Sequence, residues 1–548
     1  MTGIISASAE VSPLRERIYV QTDKHLYLAG EPILMKFVTT DSDLIPLAFS
    51  RVAYAELVND SVSLVQIMVE LNNGVGTGRM VLPVDLPTGN YRLIAYTNFM
   101  RNEGAGVFFE KNIAVVNTFL SSYALFEAST EATRHFLPVG GDIGTVSLQT
   151  DTTIYTTRTR GELTISGLPE NIHTLSVSIA GKDFVPASHS AASLFRNNRV
   201  KQSTGFSGEF IPEFEGHIIT GRIIDNQTES PATVTDIVAG ITFPGKEIRF
   251  FTGQTNETGD VRFFTSGISG IRELATVVLN ADERYRVDVL SPFASQHLPR
   301  QMPTLQIDSV YYSQLLERSV ALQVYRFFED DNVENRNVSE PHVIFEPTRS
   351  YPLDEFTRFA TMREVFIEFI QGARFRRNAD GNQELQVFTR RGALLEFGTP
   401  LVLLDGVPVL DHEAIFYYDP LAVEIINTYF GPVALGGVRF DGIIEFLTYH
   451  RLHQNLNLNR ATQVISYVAP QMPYWFHTPD HSEENSRQSR VPDARHTLLW
   501  SPNINTDGET SVIVPFDTSD LTGEFQATVE GITKDGRFIF ATVFFRVE

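Results

Sequence analysis

The stretch that most constrains this chain is Pro400 to Thr448, PLVLLDGVPVLDHEAIFYYDPLAVEIINTYFGPVALGGVRFDGIIEFLT. Leu401 to Leu404 is a continuous apolar run, as in a strand buried on both faces. Asp405 and Gly406 both tolerate the positive φ of a tight primed turn, so Val407 to Leu410 reads as the returning strand. Asp419 before Pro420 opens a short helix: the carboxylate accepts from free N–H groups, and proline at the first helical position loses no bond. Val423 to Tyr429 runs apolar, and Gly436-Gly437 turns the chain into Val438 to Phe446. The order is strand, turn, strand, short helix, strand, turn, strand.

Three pieces of this stretch, PLVLLDGVPV (400–409), DPLAVEIINTYFGP (419–432) and FDGIIEFLT (440–448), resemble the plug domain of TonB-dependent outer-membrane receptors. The resemblance makes Asp405, Gly406, Asp419, Pro420 and Gly442 the plug-like signature, and it extends back to about Tyr351. The receptor motif ends in a small residue before its last strand; VRFDGIIEF keeps the glycine and the strand. Within the extension, Thr361 to Glu364 is a capping box, followed by Met362, Val365, Phe366, Phe369 and Ile370 at helical spacing, with Gly372 to end the helix. Asp380-Gly381 is a further hairpin turn, between residues 373–377 and 384–389.

A length of 548 residues exceeds one core and predicts roughly three to five domains. Forty phenylalanines and frequent Val, Ile, Thr and Gly favour β-rich domains. A net charge of −22 argues against nucleic acid or an anionic membrane as the main partner. The absence of cysteine excludes disulfides, cysteine zinc sites, a cysteine nucleophile and a lipid anchor on cysteine. No run of about 18 apolar residues predicts a transmembrane helix. MTGIISASAEVSP lacks the pattern of a signal peptide, which is therefore expected to be absent or removed from this numbering.

In chain order the fold class is mainly β: tandem macroglobulin- and immunoglobulin-like β-sandwiches with one α+β plug-like domain. Residues 13–118 alternate strands with Gly, Pro and Asn turns, as in a sandwich. ERIYVQTDKHLYLAGEPILMKF (16–37) and LPTGNYRLIAYTNFMRN (86–102) resemble the macroglobulin-type sandwich of bacterial envelope proteins, a module that positions other domains. Without cysteine no macroglobulin-type thioester can form. Residues 119–212, with FLPVGGDIG (136–144) and the alternating HTLSVSIAGKDF (173–184), predict a second sandwich, and Ser188 to Phe206 a polar loop. Residues 213–295 resemble a carboxypeptidase-regulatory-like or immunoglobulin-like module, most clearly at Asn256 to Asp260 before Val261. Residues 296–350 form a connector with a helix from Val310 to Phe328 capped by Ser309, then a polar run from Asp330 to Pro341. The plug-like domain spans 351–450. Residues 451–548 hold a strand at 462–468, a Pro/aromatic stretch and four strands with Asp507-Gly508, Thr522-Gly523 and Asp535-Gly536 turns, a sandwich half.

Sites for chemistry are sparse. The chain has no phosphate-cradling loop and no nucleophile elbow, and His412-Glu413 lacks the second histidine of a zinc helix. His477, Asp480 and His481 offer two imidazoles and a carboxylate to a metal, or form a solvated loop held by Tyr474, Trp475 and Phe476; the loop is favoured. Asp405 and Asp419 are explained by a turn and a cap rather than a carboxylate pair. Arg374, Arg376 and Arg377, with Arg390-Arg391, form a basic island in an acidic chain. It is either a solvated strand face or a docking site for an acidic partner or lipid phosphate. No catalytic residue, metal site or cofactor is expected.

A receptor barrel of about 22 strands needs several hundred residues, and 98 residues follow position 450. The plug-like resemblance therefore implies a pore made by another protein. Across the chain it resembles the separate plug subunit that closes the periplasmic side of the type 9 secretion translocon. The expected partners are an outer-membrane β-barrel and other envelope proteins, in the periplasm or at the outer membrane of a Gram-negative bacterium. The alternative is an envelope scaffold or adhesion protein that binds through sandwich edges.

Overall fold

The computed structural model describes residues 14–120, 126–127, 144–183, 190–201, 203, 205–244, 249–280, 284–295, 297–333, 346–391, 394–449 and 460–548. Most of FLPVGGDIG, residues 188, 189, 202 and 204 of the expected polar loop and the 334–341 part of the polar run lie outside them. The fold is mainly β, with 47% strand and 13% helix. It divides into two compact units, one of residues 1–214, 293–336 and 470–548, the other of 215–292 and 337–469.

In the first unit, Glu16–Thr22, Pro32–Asp41 and Val75–Val81 form a three-stranded sheet. It packs on a five-stranded sheet of Leu26–Leu28, Phe109–Val116, Gly89–Tyr96, Val52–Asn59 and Val62–Glu70. Tyr27, Phe37, Leu93 and Ile113 share the core between them. All seven residues of Glu16–Thr22 are buried, because a second layer covers the other face: Tyr19 Oη donates to Glu530 at 2.7 Å, and Ser178 Oγ donates to the Asp23 carbonyl at 2.7 Å.

That second layer does not follow the boundaries read from the sequence. Ser147–Thr150 pairs with Arg160–Ser166, which in turn pairs with Ser511–Asp517. Ile172–Gly181 lies between Gly523–Thr533 and Thr497–Ser501, with Phe538–Val547 and Ile154–Tyr155 beyond. Segments assigned to separate sandwiches thus share both sheets and one core, with Leu163, Val177, Phe516 and Phe525 at its centre. Strand hydrogen bonding has no limit in sequence separation, whereas boundaries drawn from composition follow chain order.

The expected polar loop 188–206 contains the helix Ala191–Asn197, capped by Ser190, whose Oγ accepts from Ser193 N. Its apolar residues, Ala192, Leu194 and Phe195, are buried in the first core, which holds the helix there. The helix expected at 310–328 runs Tyr312–Val333 and is entered through a 3-10 turn, Ser309–Tyr311, whose cap is Asp308, accepting from Val310 N at 3.0 Å, so Ser309 lies inside the turn rather than capping it.

In the second unit, Ile218–Asp225 pairs with Ser230–Pro231, Asp260–Phe264 and Tyr285–Val289. The facing sheet is Phe250–Gln254, Val238–Thr242, Ile271–Val278 and Thr462–Val468, so the strand at 462–468 completes the 213–295 module. The rest of the unit is an α+β layer. Its five-stranded sheet runs Arg349–Pro352, Val423–Leu435, Val438–Thr448, Leu401–Leu404, Val407–Pro408, with Leu401–Leu404 parallel to Val438–Thr448. Helix Met362–Glu368 carries the expected Thr361–Glu364 capping box. A separate three-stranded sheet joins Ala373–Arg377, Gln383–Arg391 and Leu394–Gly398. Phe366, Leu385, Val387, Ile426 and Phe446 form the core of this layer.

Candidate functional site

The strand Ala373–Arg377 sorts its side chains by alternation. Ala373 is buried and Phe375 half-buried, with the Phe375 ring edge-on to Phe366 and Phe416 at 4.8 and 5.1 Å. Arg374 and Arg376 take the opposite, exposed face, and Arg377 is exposed at the strand end. The middle strand answers in register, Gln386 opposite Arg374 and Glu384 opposite Arg376.

Arg374 is held in place. Its Nε and Nη2 donate to Gln386 Oε1 at 3.2 and 3.1 Å, and its guanidinium lies 3.7 Å from the centre of the Phe397 ring. Phe397 packs on Phe388 at 4.5 Å, and Phe388 meets Phe430 edge-on at 6.1 Å. Arg376 and Arg377 form no ion pair among the described residues. Arg390 lies opposite Leu395, and Leu394 and Leu395 are 72% and 69% exposed. Five arginines and three acidic residues fall between 373 and 398 in a chain of charge −22. The result is a cationic and apolar face on a sheet whose other face is core. Such a face attracts an acidic, partly apolar protein surface.

Behind it, His412 Nδ1 accepts from Leu385 N at 3.2 Å. Burial pushes its pKa down to about 4, so the ring is neutral and serves as an acceptor near pH 7.

The plug-like signature residues support this layer and lie apart from the arginine face. Asp405 and Gly406 take φ of 50° and 85°, as the primed turn requires. The Asp405 carboxylate is buried and accepts from Thr448 N and Oγ1. Asp419 accepts from Leu421 N at 2.9 Å, with Pro420 at the first position of a single 3-10 turn, Pro420–Ala422. Gly442 sits opposite a bulge. A Cβ there would lie 2.6 Å from the Tyr429 carbonyl and 2.6 Å from Val387 Cγ1. Glycine lets the long strand pass against the middle strand of the arginine-bearing sheet.

In the first unit, His477, Asp480 and His481 are not brought together as ligands. Asp480 accepts from Ser482 N at 2.9 Å and pairs with Arg160 at 3.0 Å. His481 is buried, with Nδ1 3.1 Å from Ser486 Oγ and Nε2 2.9 Å from Asp493 Oδ2. Sequence reading missed this Ser–His–Asp connection, because nothing in the spacing of Ser486, His481 and Asp493 marks it. Arg495 donates Nε and Nη2 to the same carboxylate at 2.7 and 2.6 Å, and His481 N donates to Asp517 at 3.0 Å. The network anchors the loop to the Ser511–Asp517 strand. Among the described residues, no group of three or more His, Asp or Glu is placed to hold a metal ion. No helix among them is long and apolar enough to cross a membrane.

No family model matches the sequence, and no curated protein is similar to it. Among solved structures, the chain is similar to a Salmonella alpha-2-macroglobulin reacted with methylamine, at 9% identity and a TM-score of 0.25, over 97% of this chain and 39% of that one. It is similar to the Yersinia pseudotuberculosis adhesin InvE at 14% identity and a TM-score of 0.12, over 50% and 58% of the two chains. It is also similar to dimeric latent PorU from Porphyromonas gingivalis at 12% identity and a TM-score of 0.16, over 52% and 33%. The chain spans well under half the length of that macroglobulin. Overlaps of this size leave function to be read from the chain's own residues.

Proposed function

We propose that this is a non-enzymatic envelope protein whose plug-like layer docks on an outer-membrane β-barrel formed by another protein, occluding or scaffolding its channel as in a type 9 secretion translocon. The observation that carries the reading is the exposed face of Arg374 and Arg376 beside Phe397 and Leu395, with Arg377 exposed at the strand end, a concentration of positive charge in an acidic chain. The plug-like signature residues support it by building the layer that presents the face.

The test is co-purification of a barrel from detergent-solubilised outer membranes. Substitutions serve better than removal of 351–450, which would uncover Phe250 and Val277, packed against Leu401, Leu403 and Tyr429. The wild-type chain recovers the barrel, and the triple variant Arg374→Glu, Arg376→Glu, Arg377→Glu loses it. If the wild type recovers no barrel, the reading fails. A scaffold or adhesion role through sandwich edges would remain, favoured by the edge strand Val62–Glu70 with Val62 and Leu64 exposed.

A further inference from the structure

The three-stranded sheet of the second unit extends past the core that supports it. Along its inner face Leu385, Val387 and Thr389 are buried. The hairpin of Gln383–Arg391 and Leu394–Gly398 then continues to a last cross-strand pair, Arg391 opposite Leu394, where Leu394 is 72% exposed. The pair before it sets Arg390 opposite Leu395, which is 69% exposed. Successive strand residues point to opposite faces, so the two leucines leave the hairpin end on opposite sides.

That arrangement selects what can cover it. A protein docked on one face of the sheet would bury one leucine and leave the other in water. An apolar medium that surrounds the end buries both. Each leucine has an arginine as its cross-strand partner, and Arg390 is exposed. An arginine stem lies along apolar surface while its guanidinium reaches a phosphate. At about 3.4 Å per residue the end from Leu394 to the half-buried Glu396 is about 7 Å deep. Interfacial segments sink by about 5–10 Å into the boundary of headgroups and acyl chains. Arg374 and Arg376 belong to another place, since Gln386, opposite Arg374, is about 14 Å along its strand from Arg390. An anionic surface repels the acidic body of the chain, but screening at physiological salt confines that repulsion to about 8–10 Å. A projecting end with its own arginines makes the contact alone.

We propose that this hairpin end dips into a phospholipid surface. Leu394 and Leu395 enter the acyl boundary from the two sides of the sheet, and Arg390 binds a lipid phosphate. Two leucines make a shallow and reversible contact, which orients the layer against a membrane rather than anchoring the chain to it. The contact is separate from docking of the Arg374 and Arg376 face on a barrel.

The experiment uses the full chain with protein-free vesicles of phosphatidylcholine and phosphatidylglycerol, read by flotation. The wild-type chain floats with the vesicles. Leu394→Ser combined with Leu395→Ser lowers the partition at least about tenfold, and Arg390→Gln lowers it about fivefold. Circular dichroism checks the fold of each variant. Leu394→Trp and Leu395→Trp, made singly, serve if the serine variant does not fold: on vesicles each adds a blue-shifted emission to that of Trp475 and Trp500, and each is quenched by lipid brominated near the headgroup. No flotation of the wild type, flotation unchanged in the folded serine variant, or quenching at only one of the two new tryptophans overturns the assignment. The vesicles contain no barrel and barrel recovery is read in detergent, so either reading can fail without the other.

Discussion

Asp405 and Thr448 are joined twice: the carboxylate accepts from the Thr448 backbone N–H at 2.7 Å and from its hydroxyl at 2.7 Å, in a fully buried setting. The tip of one hairpin is thereby locked to the end of the strand Val438–Thr448. Asp405→Ala leaves two buried donors unsatisfied and removes a residue that tolerates the turn, and is expected to destabilise the layer by about 2–4 kcal/mol. Asp405→Asn keeps the turn and one acceptor and is expected to lose about half of that. Urea unfolding followed by circular dichroism checks both.

The buried Glu31–Arg318 pair predicts acid sensitivity. Burial pushes the Glu31 carboxyl up, but Arg318 and then Lys24 outweigh it and hold its pKa at about 2, below the ordinary 4.5. The folded chain therefore keeps this group charged where the unfolded chain begins to protonate it. Its stabilisation is complete above about pH 4.5 and is lost as pH falls toward 2. Glu31→Gln is expected to flatten that window and, by stranding Arg318, to destabilise at pH 7 by about 3–5 kcal/mol. Thermal melts at pH 6 and pH 3 compare the two chains.

Lys36 gives the opposite slope. It lies across from Gln21 in register, and its Nζ is buried without a hydrogen-bond partner among the described residues. Burial pushes its pKa from 10.5 down to about 7, against the pull of Glu530. Between those values the unfolded chain holds a proton that the folded chain has released, so stability rises with pH across that window. Lys111, His173 and Glu530 belong to the same buried layer. Lys36→Met is expected to remove the slope and to stabilise the protein at pH 7 by about 1–3 kcal/mol. Denaturation midpoints at pH 7 and pH 10 measure it.

Ser486, His481 and Asp493 resemble a hydrolytic relay in their hydrogen bonds, yet Arg495 grips the carboxylate through two nitrogens. Ser486 is expected to stay unlabelled by a fluorophosphonate probe, and Ser486→Ala to leave stability within about 0.5 kcal/mol. His481→Ala is expected to destabilise by about 1–3 kcal/mol, because it empties a buried position and removes one of the two side chains bonded to the Asp493 carboxylate. Stoichiometric labelling of Ser486 would sink the non-enzymatic reading.

Local chemistry was legible where one or two residues decide the backbone. The Asp405-Gly406 turn, the Asp419 cap and the Thr361–Glu364 box all sit where their side chains require. The arginine face followed from alternation alone, but Phe397 beneath Arg374 did not, since it comes from another strand. The burial of Asp405 was also hidden: a turn aspartate is ordinarily solvated, and only the approach of Thr448 encloses it. The pairing of Ile172–Gly181 with Gly523–Thr533 was illegible for the same reason, because a sheet partner far along the chain leaves no local mark.

That pairing sets an order of events during synthesis. Ile172–Gly181 leaves the ribosome long before Thr497–Ser501 and Gly523–Thr533, the two strands that flank it. At about 5–20 residues per second the delay is roughly 15–60 seconds. Through that interval its two edges are unpaired while the intervening module is made, and a nascent chain of this design needs its surroundings to keep those edges from meeting a neighbour's.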